Sequence, residues 1–263
     1  MEKKALFFDY DGTIADGRTG ELPREIPELF ARLKAHGCLL FLNTGRTRAI
    51  LDPRSRALPF DGMILGCGSA VELYGEVLYE YRLNRALCLR TVHALRGCGA
   101  EGFLEGPDVL YITDPLTHPR LLEPLAHYRH NRVPILRADQ MDRPFSKMFL
   151  FLPAPAGRDA LRAVLDGKLD WIDRGEDFWE LAPSGHSKAT GIELVMNHLG
   201  LKTENCYAFG DGNNDRPMFE RIPNSALIGG GNTELREIVR YISSGVLDGG
   251  LTEAVRAFGL VKP

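Results

Sequence analysis

The stretch Phe7-Phe8-Asp9-Tyr10-Asp11-Gly12-Thr13 decides the fold. The apolar run over residues 4–8 reads as a buried strand. Side chains alternate along a strand, so Asp9 and Asp11 are expected on the same side, where the strand ends and glycine lets the chain turn. Carboxylates are poor core material, and the C-terminal edge of a buried strand is where open α/β sheets bind ligands. A second acidic cluster, Gly210-Asp211-Gly212-Asn213-Asn214-Asp215, follows another apolar run near the far end of the chain. Together the two clusters point to a split site for a metal and a phosphate.

The surrounding pattern agrees with such a sheet. Residues 23–36 read as a helix with Ile26, Leu29, Phe30 and Leu33 on one face and Gly37 as its stop. A strand over 38–42 runs into Asn43-Thr44-Gly45-Arg46, followed by a helix ending before Pro53. A short strand over 62–65 and a hairpin of 71–74 with 77–81 come next. This βαβ rhythm predicts a parallel sheet with helices on its faces. Over about 83–181 it gives way to helices at 87–95 and 158–165 among strands at 101–104, 109–112, 147–152, 169–172 and 178–181. The alternation resumes with helix 186–199, strand 205–209, helix 214–220, strand 225–228 and helices 233–239 and 251–258. The fold class expected is α/β: a Rossmann-like three-layer core of residues 1–82 and 183–263, with an inserted α+β domain of residues 83–182.

A 44% hydrophobic content with 25% charge fits an ordinary soluble globular protein, and a net charge of -3 argues against a general nucleic-acid or membrane surface. An anionic substrate therefore needs local cations or a metal. The cysteines Cys38, Cys67, Cys88, Cys98 and Cys206 are odd in number and have no CxxC spacing, which fits free thiols in a reducing compartment. The apolar run at the start is too brief for a signal peptide or membrane span, so a cytoplasmic location is expected. No heptad pattern demands assembly, which suits a monomer or weak homodimer.

Asp9 is the candidate nucleophile, because a carboxylate can attack phosphorus and form an aspartyl-phosphate. Asp11 is the candidate general acid and base, and repulsion between the two carboxylates should drive their pKa values apart. Gly12 allows a turn whose N–H groups could face a phosphate. A plain helix cap by Asp11 or Thr13 is the simpler account of the same residues. Asp211 and Asp215 offer hard oxygens suited to Mg²⁺, or an Asx-turn and helix cap. Thr44, with Gly45 beside it, could hold phosphate oxygens at a helix start, or serve as an ordinary cap. Lys188 opens a helix, against the helix dipole unless an anion lies close. The alternative for Lys188 is a solvated surface position.

Four segments, DYDGT, NTGR, SKATG and GDGNND, resemble in order the motifs of the haloacid dehalogenase superfamily of phosphotransferases. The large insertion is similar to the α/β (type IIB) cap of its Cof-type phosphatase branch, and the lead-in Trp179 to Lys188 is similar to that branch's return to the core. The resemblance implies a Mg²⁺-dependent phosphatase of small phosphorylated metabolites, such as sugar phosphates, working through an aspartyl-phosphate. It implies Asp9 as nucleophile and metal ligand, Asp11 as acid/base with its carbonyl on the metal, and Asp211 as a direct metal ligand. Thr44 and Lys188 would hold the phosphoryl group, Asp215 would orient the metal's waters, and Asn214 would reach the phosphate or Lys188. A phosphomutase, a dedicated disaccharide-phosphate phosphatase and a non-catalytic ligand-binding protein on the same fold are the alternatives.

Three stretches depart from the pattern. Tyr10 stands where leucine is common and should face away from the site. Gly229-Gly230-Gly231-Asn232 is unusually glycine-rich, and Ser244 to Leu251 lacks the branch's acidic pair. In the insertion, His118, Arg120, His127, Arg129, His130 and Arg132 form a basic stretch that reads first as a solvated face. Lys147 could reach the cleft or be an edge-strand charge. Trp171, Phe178 and Trp179 read as packing residues, and Arg46 could pair with the acidic cluster.

Overall fold

The structure, a computed structural model, describes residues 3–165, 167–230 and 233–261. Gly231 and Asn232 of the glycine-rich loop lie outside the described residues. The chain forms two compact units. One comprises Met1–Gly45, Pro53–Tyr79 and Ser187–Pro263, the other Arg46–Asp52 and Glu80–His186.

In chain order the first part contains β1 (Ala5–Phe8), α1 (Ile26–Ala35), β2 (Leu39–Asn43), α2 (Pro53–Arg56), β3 (Gly62–Leu65), β4 (Ala70–Leu73) and β5 (Glu76–Glu80). The insertion contains α3 (Arg85–Gly97), β6 (Glu101–Glu105), β7 (Leu110–Ile112), α4 (Pro119–His130), β8 (Ile135–Arg137), β9 (Lys147–Phe151), α5 (Pro155–Leu165), β10 (Leu169–Asp173) and β11 (Phe178–Pro183). The return contains α6 (Lys188–Leu199), β12 (Cys206–Gly210), α7 (Arg216–Arg221), β13 (Ser225–Leu227), β14 (Tyr241–Ile242) and α8 (Gly250–Ala257).

The first unit carries a sheet of order β14-β13-β12-β1-β2-β3-β4-β5. It is parallel from β14 to β3, and β4 turns back antiparallel on β3. β1 lies centrally because it is apolar on both faces: all four of its residues are buried. Phe7 stacks on Phe41 at 5.0 Å, while Phe8 stacks on Phe209 at 4.9 Å and meets Phe30 of α1. The carboxyl ends of β1, β2 and β12 therefore lie side by side, and the sequence puts Asp9, Thr44 and Asp211 just beyond them.

The second unit has a sheet of order β10-β11-β9-β6-β7-β8, antiparallel except for the β7–β8 pair. One apolar cluster joins Leu87 and Leu95 of α3, Leu161 and Leu165 of α5, and Leu104, Leu150 and Leu181 of the sheet. A second joins Phe103, Leu110 and Phe178 to Leu121 and Leu125 of α4, and to Ala49 and Ile50. Residues 46–52, read from the sequence as core, thus pack with the insertion. Trp171 and Trp179 meet edge to face at 5.8 Å, with the Arg162 guanidinium 4.5 Å above the Trp171 ring. Both serve packing.

Several expected helices are shorter than the pattern suggested. The segment after Arg46 holds a single 3₁₀ turn, Arg48–Ile50, before α2. Residues 233–239 hold only the turn Thr233–Leu235. The basic stretch, by contrast, lies along a helix, α4, which Pro124 in its interior concealed. Its Arg120, His127, Arg129 and His130 are exposed, as a solvated face requires.

Lys147 is buried, not an exposed edge charge. Its ammonium lies 2.7 Å from Glu180 and 3.8 Å from Glu105. Arg174 Nε donates to Glu180 at 2.9 Å, and the Thr47 hydroxyl donates to Glu105 at 3.3 Å. Burial would raise the Glu180 pKa, but Lys147 and then Arg174 outweigh it and bring the carboxyl down to about 2 from 4.5. A depressed pKa gives stability that is present above the unfolded value and lost as pH falls through the folded one. Glu180→Gln should therefore cost roughly 3 kcal/mol near neutral pH, with the gap closing between pH 4.5 and about 2. Urea unfolding at both ends of that window checks this; a gap independent of pH would show that the ion pairs contribute nothing.

Candidate active site

The site in the first unit begins at the end of β1. Asp9 N–H still belongs to the sheet, donating to Phe209 O at 2.9 Å. The chain then turns on the Tyr10 carbonyl, which accepts from the N–H groups of Thr13, Ile14 and Ala15. Tyr10 itself is fully buried. Gly12 has φ +88, and its N–H donates to Ala15 O at 2.7 Å. What Gly12 supplies is thus conformation and space for the turn. A Cβ there would lie 2.2 Å from Asp211 Oδ2. Gly12→Ala should displace Asp211 and strain the turn, at about 1–3 kcal/mol of stability and roughly 100-fold in turnover. Thermal denaturation and turnover measured on one preparation test this; wild-type values of both would refute the close approach.

Lys188 is fully buried at the first turn of α6. Ser187 caps that helix: its side chain accepts from Thr190 N–H, and Thr190 Oγ1 accepts from Ser187 N–H. Its ammonium donates to Asp9 Oδ1 at 2.5 Å and to Asp215 Oδ1 at 2.6 Å. The other oxygen of Asp215 accepts from the N–H groups of Asp211 and Gly212, both at 2.9 Å. Asp215 therefore ties the loop after β12 to Lys188, a tighter role than the one the family resemblance implied. Gly210 makes room for it, since a Cβ there would come within 2.5 Å of the Asp215 carboxyl carbon.

Asp9, Asp211 and Asp215 each place a carboxylate oxygen within 4.8 Å of the others. Asp11 lies outside this cluster, half-buried, in a bridge with Ala15. Burial pushes the Asp9 carboxyl well above the ordinary range; Lys188 opposes the rise, and Asp215 and Asp211 add to it. Asp211 is pushed up to about 6, first by burial and then by Asp215. Burial alone would lower the Lys188 pKa, but Asp215 and Asp9 outweigh it and raise it, so the ammonium stays charged. Three close carboxylates against one ammonium leave two negative charges unbalanced when all are ionised. Hard oxygen donors with that excess suit a divalent cation such as Mg²⁺.

The end of β2 flanks this cluster. Thr44 is buried, its N–H donating to Ile64 O at 2.9 Å and its carbonyl accepting from Cys67 N–H at 3.1 Å. Its N–H is thus used in the sheet. A Cβ on Gly45 would stand 3.6 Å from Asn214 Nδ2, so the exposed Asn214 turns its amide toward this loop. Two residues to which the sequence assigned no part in the chemistry complete the frame. The Thr13 hydroxyl donates to Asp211 Oδ1 at 3.0 Å, and the buried Asn43 donates from Nδ2 to the Lys188 carbonyl at 3.2 Å. Their positions inside DGT and NTG were the available signal. Gly68 is a third such residue: a Cβ there would meet Ser187 O at 2.1 Å.

A family model for haloacid dehalogenase-like hydrolases matches residues 6–255. The chain belongs to that family. This hydrolase is 27% identical over 267 residues to the provisionally named phosphatase YkrA of Bacillus subtilis (strain 168), across 100% of both chains. It is 29% identical over 170 residues to the phosphoglycolate phosphatase of Methanothermobacter thermautotrophicus, covering 61% of this chain and 74% of that one. Among solved structures, the HAD subclass IIB sugar phosphatase BT4131 matches with a TM-score of 0.79 at 22% identity, over 98% of this chain and 100% of that chain. A hypothetical protein of Geobacillus kaustophilus HTA426 matches with a TM-score of 0.86 at 23% identity, over 98% of this chain and 100% of that chain. At such identities the structural likeness speaks for the fold: an α/β core with a parallel sheet and an inserted α+β unit.

Proposed function

We propose that this hydrolase is a Mg²⁺-dependent phosphatase of small phosphorylated metabolites, sugar phosphates or related phosphomonoesters. The observation that carries the reading is Asp9, a buried carboxylate paired to a buried ammonium, with two further carboxylates close by. A binding module has little use for that concentration of charge. The relatives named as phosphatases support the same class of reaction.

Asp9 attacks phosphorus, and the bond from phosphorus to the leaving oxygen breaks, giving an aspartyl-phosphate. Asp11 gives its proton to the departing oxygen. It then takes a proton from the water that attacks the phosphoryl group, releasing inorganic phosphate and restoring Asp9. Lys188 and Thr44 hold the phosphoryl oxygens, with Gly45 and Asn214 beside them. Mg²⁺ held by Asp9, Asp211 and the Asp11 carbonyl would neutralise charge on the transferring group. Asp215 keeps Lys188 aimed at Asp9.

In this reading residues 1–82 and 183–263 serve as the core, less the 46–52 segment that packs with the insertion, and 83–182 serve as a cap that selects the leaving group. Among the described residues no helix is long and apolar enough to cross a membrane. None of the five cysteines forms a disulfide bond, in keeping with a cytoplasmic protein, and the partner this reading requires is the small phosphorylated metabolite. Hydrolysis of p-nitrophenyl phosphate should depend on Mg²⁺ and stop with EDTA. Lack of turnover across several divalent metals would refute the reading.

A further inference from the structure

A cavity of about 170 Å³ lies wholly within the second unit and is lined by none of the candidate active-site residues. Its floor is apolar: Val92 and Leu95 of α3, Ala100 before β6 and Ala138 after β8, all buried. An apolar cavity of about 150 Å³ accommodates the six carbons of benzene. The space therefore suits a ligand body of about that size.

The rim is charged, with the sign alternating along it. Arg96 lies 3.0 Å from Asp139, Arg137 bonds Asp139 through Nε at 3.2 Å, and Arg137 Nη1 lies 2.6 Å from Asp114. These side chains are substantially exposed, so exchanging one partner for a ligand group costs little. Thr113 also lines the cavity and is only 7% exposed. Its hydroxyl oxygen accepts from the Gly102 N–H at 2.8 Å, while its proton meets no acceptor among the described residues. A buried donor left without an acceptor is costly, so this one points to an acceptor on a ligand.

We propose that this cavity binds a small aliphatic α-amino acid. Its carboxylate accepts from Thr113 and meets Arg137, its ammonium meets Asp114, and its side chain covers Val92, Leu95 and Ala100. Both signs of charge beside one apolar floor favour a zwitterion over a plain acid or amine. The proposal rests on no part of the catalytic reading.

Isothermal titration of the full chain with L-leucine and L-valine tests it, with isovalerate and isoamylamine as probes lacking one charged end. Saturable binding of an amino acid is expected, with each single-charge probe at least about tenfold weaker. Thr113→Val and Asp114→Asn should each weaken binding about tenfold. Ala138→Leu, which fills the floor, should abolish it while circular dichroism and melting temperature stay those of a folded chain. Absence of saturable binding at about 10 mM of either amino acid overturns the proposal. So does isovalerate binding as tightly as leucine, or retained affinity in a folded Ala138→Leu protein.

Discussion

Asp9→Asn should lower phosphomonoester turnover by about 10⁴-fold or more, and no phosphoryl group should remain on the protein after a quench. The amide keeps the size of the carboxylate but lacks the nucleophilic charge. A general defect in folding is not expected to accompany this loss. Lys188 retains Asp215 as a partner, 2.6 Å away. The folded-state pKa of Asp9 is raised, so its contribution to stability is present below the unfolded value of 3.8 and is lost as pH rises through the folded one. Removing the carboxyl removes that loss. With EDTA present, Asp9→Asn should therefore be at least as stable as wild type near pH 7, with a shallower decline from pH 4 upward. Urea unfolding at several pH values measures this. A variant that loses turnover but also unfolds more readily at neutral pH would show that Asp9 mainly serves structure.

Lys188→Met carries the opposite expectation for stability. It leaves Asp9 and Asp215, which are 5% and 0% exposed, buried together without their ammonium. Removing one member of a buried ion pair typically costs about 3–5 kcal/mol. The cost should be largest at neutral pH and shrink as pH falls, because protonation relieves the repulsion. Turnover should fall by about 10²–10³-fold or more, the usual loss when one donor to a developing anion is removed. The two variants thus separate the roles of a single ion pair: one partner reacts at phosphorus, the other supplies charge to both the chemistry and the fold. Equal stability of the two variants in EDTA at pH 7 would contradict the arrangement.

Much of this was legible because chemistry and periodicity coincide in the core. An apolar run that gives way to a polar residue marks a strand edge, and three such edges brought Asp9, Thr44 and Asp211 together. Lys188 was legible as a misfit, a cation at a helix start. Its alliance with Asp215 was not, because four residues of loop spacing say nothing about which oxygen faces which partner. Thr13 and Asn43 were hidden for a related reason. Each acts through one hydrogen bond made by a long-range fold contact, and nothing in local spacing encodes that contact. In the insertion, α4 was obscured by a proline within it, and in the returning segment β14 is too short to leave a period. For Lys147 the sequence left open a reach into the cleft or an edge-strand charge, because it shows a charge but not the two carboxylates that meet it.

The placement of Ala49 and Ile50 in one apolar cluster with Phe103, Leu110 and Phe178 has a bearing on ancestry. The inserted unit is not one contiguous cassette: its pieces are Arg46–Asp52 and Glu80–His186. Recombination that exchanged only the longer piece between relatives would set foreign aromatics against native Ala49 and Ile50. Descendants should therefore inherit the two pieces together or repair the mismatch by compensating changes. Chimeras built in the laboratory should obey the same linkage, with the seven residues after Gly45 travelling with the hundred-odd that follow Tyr79.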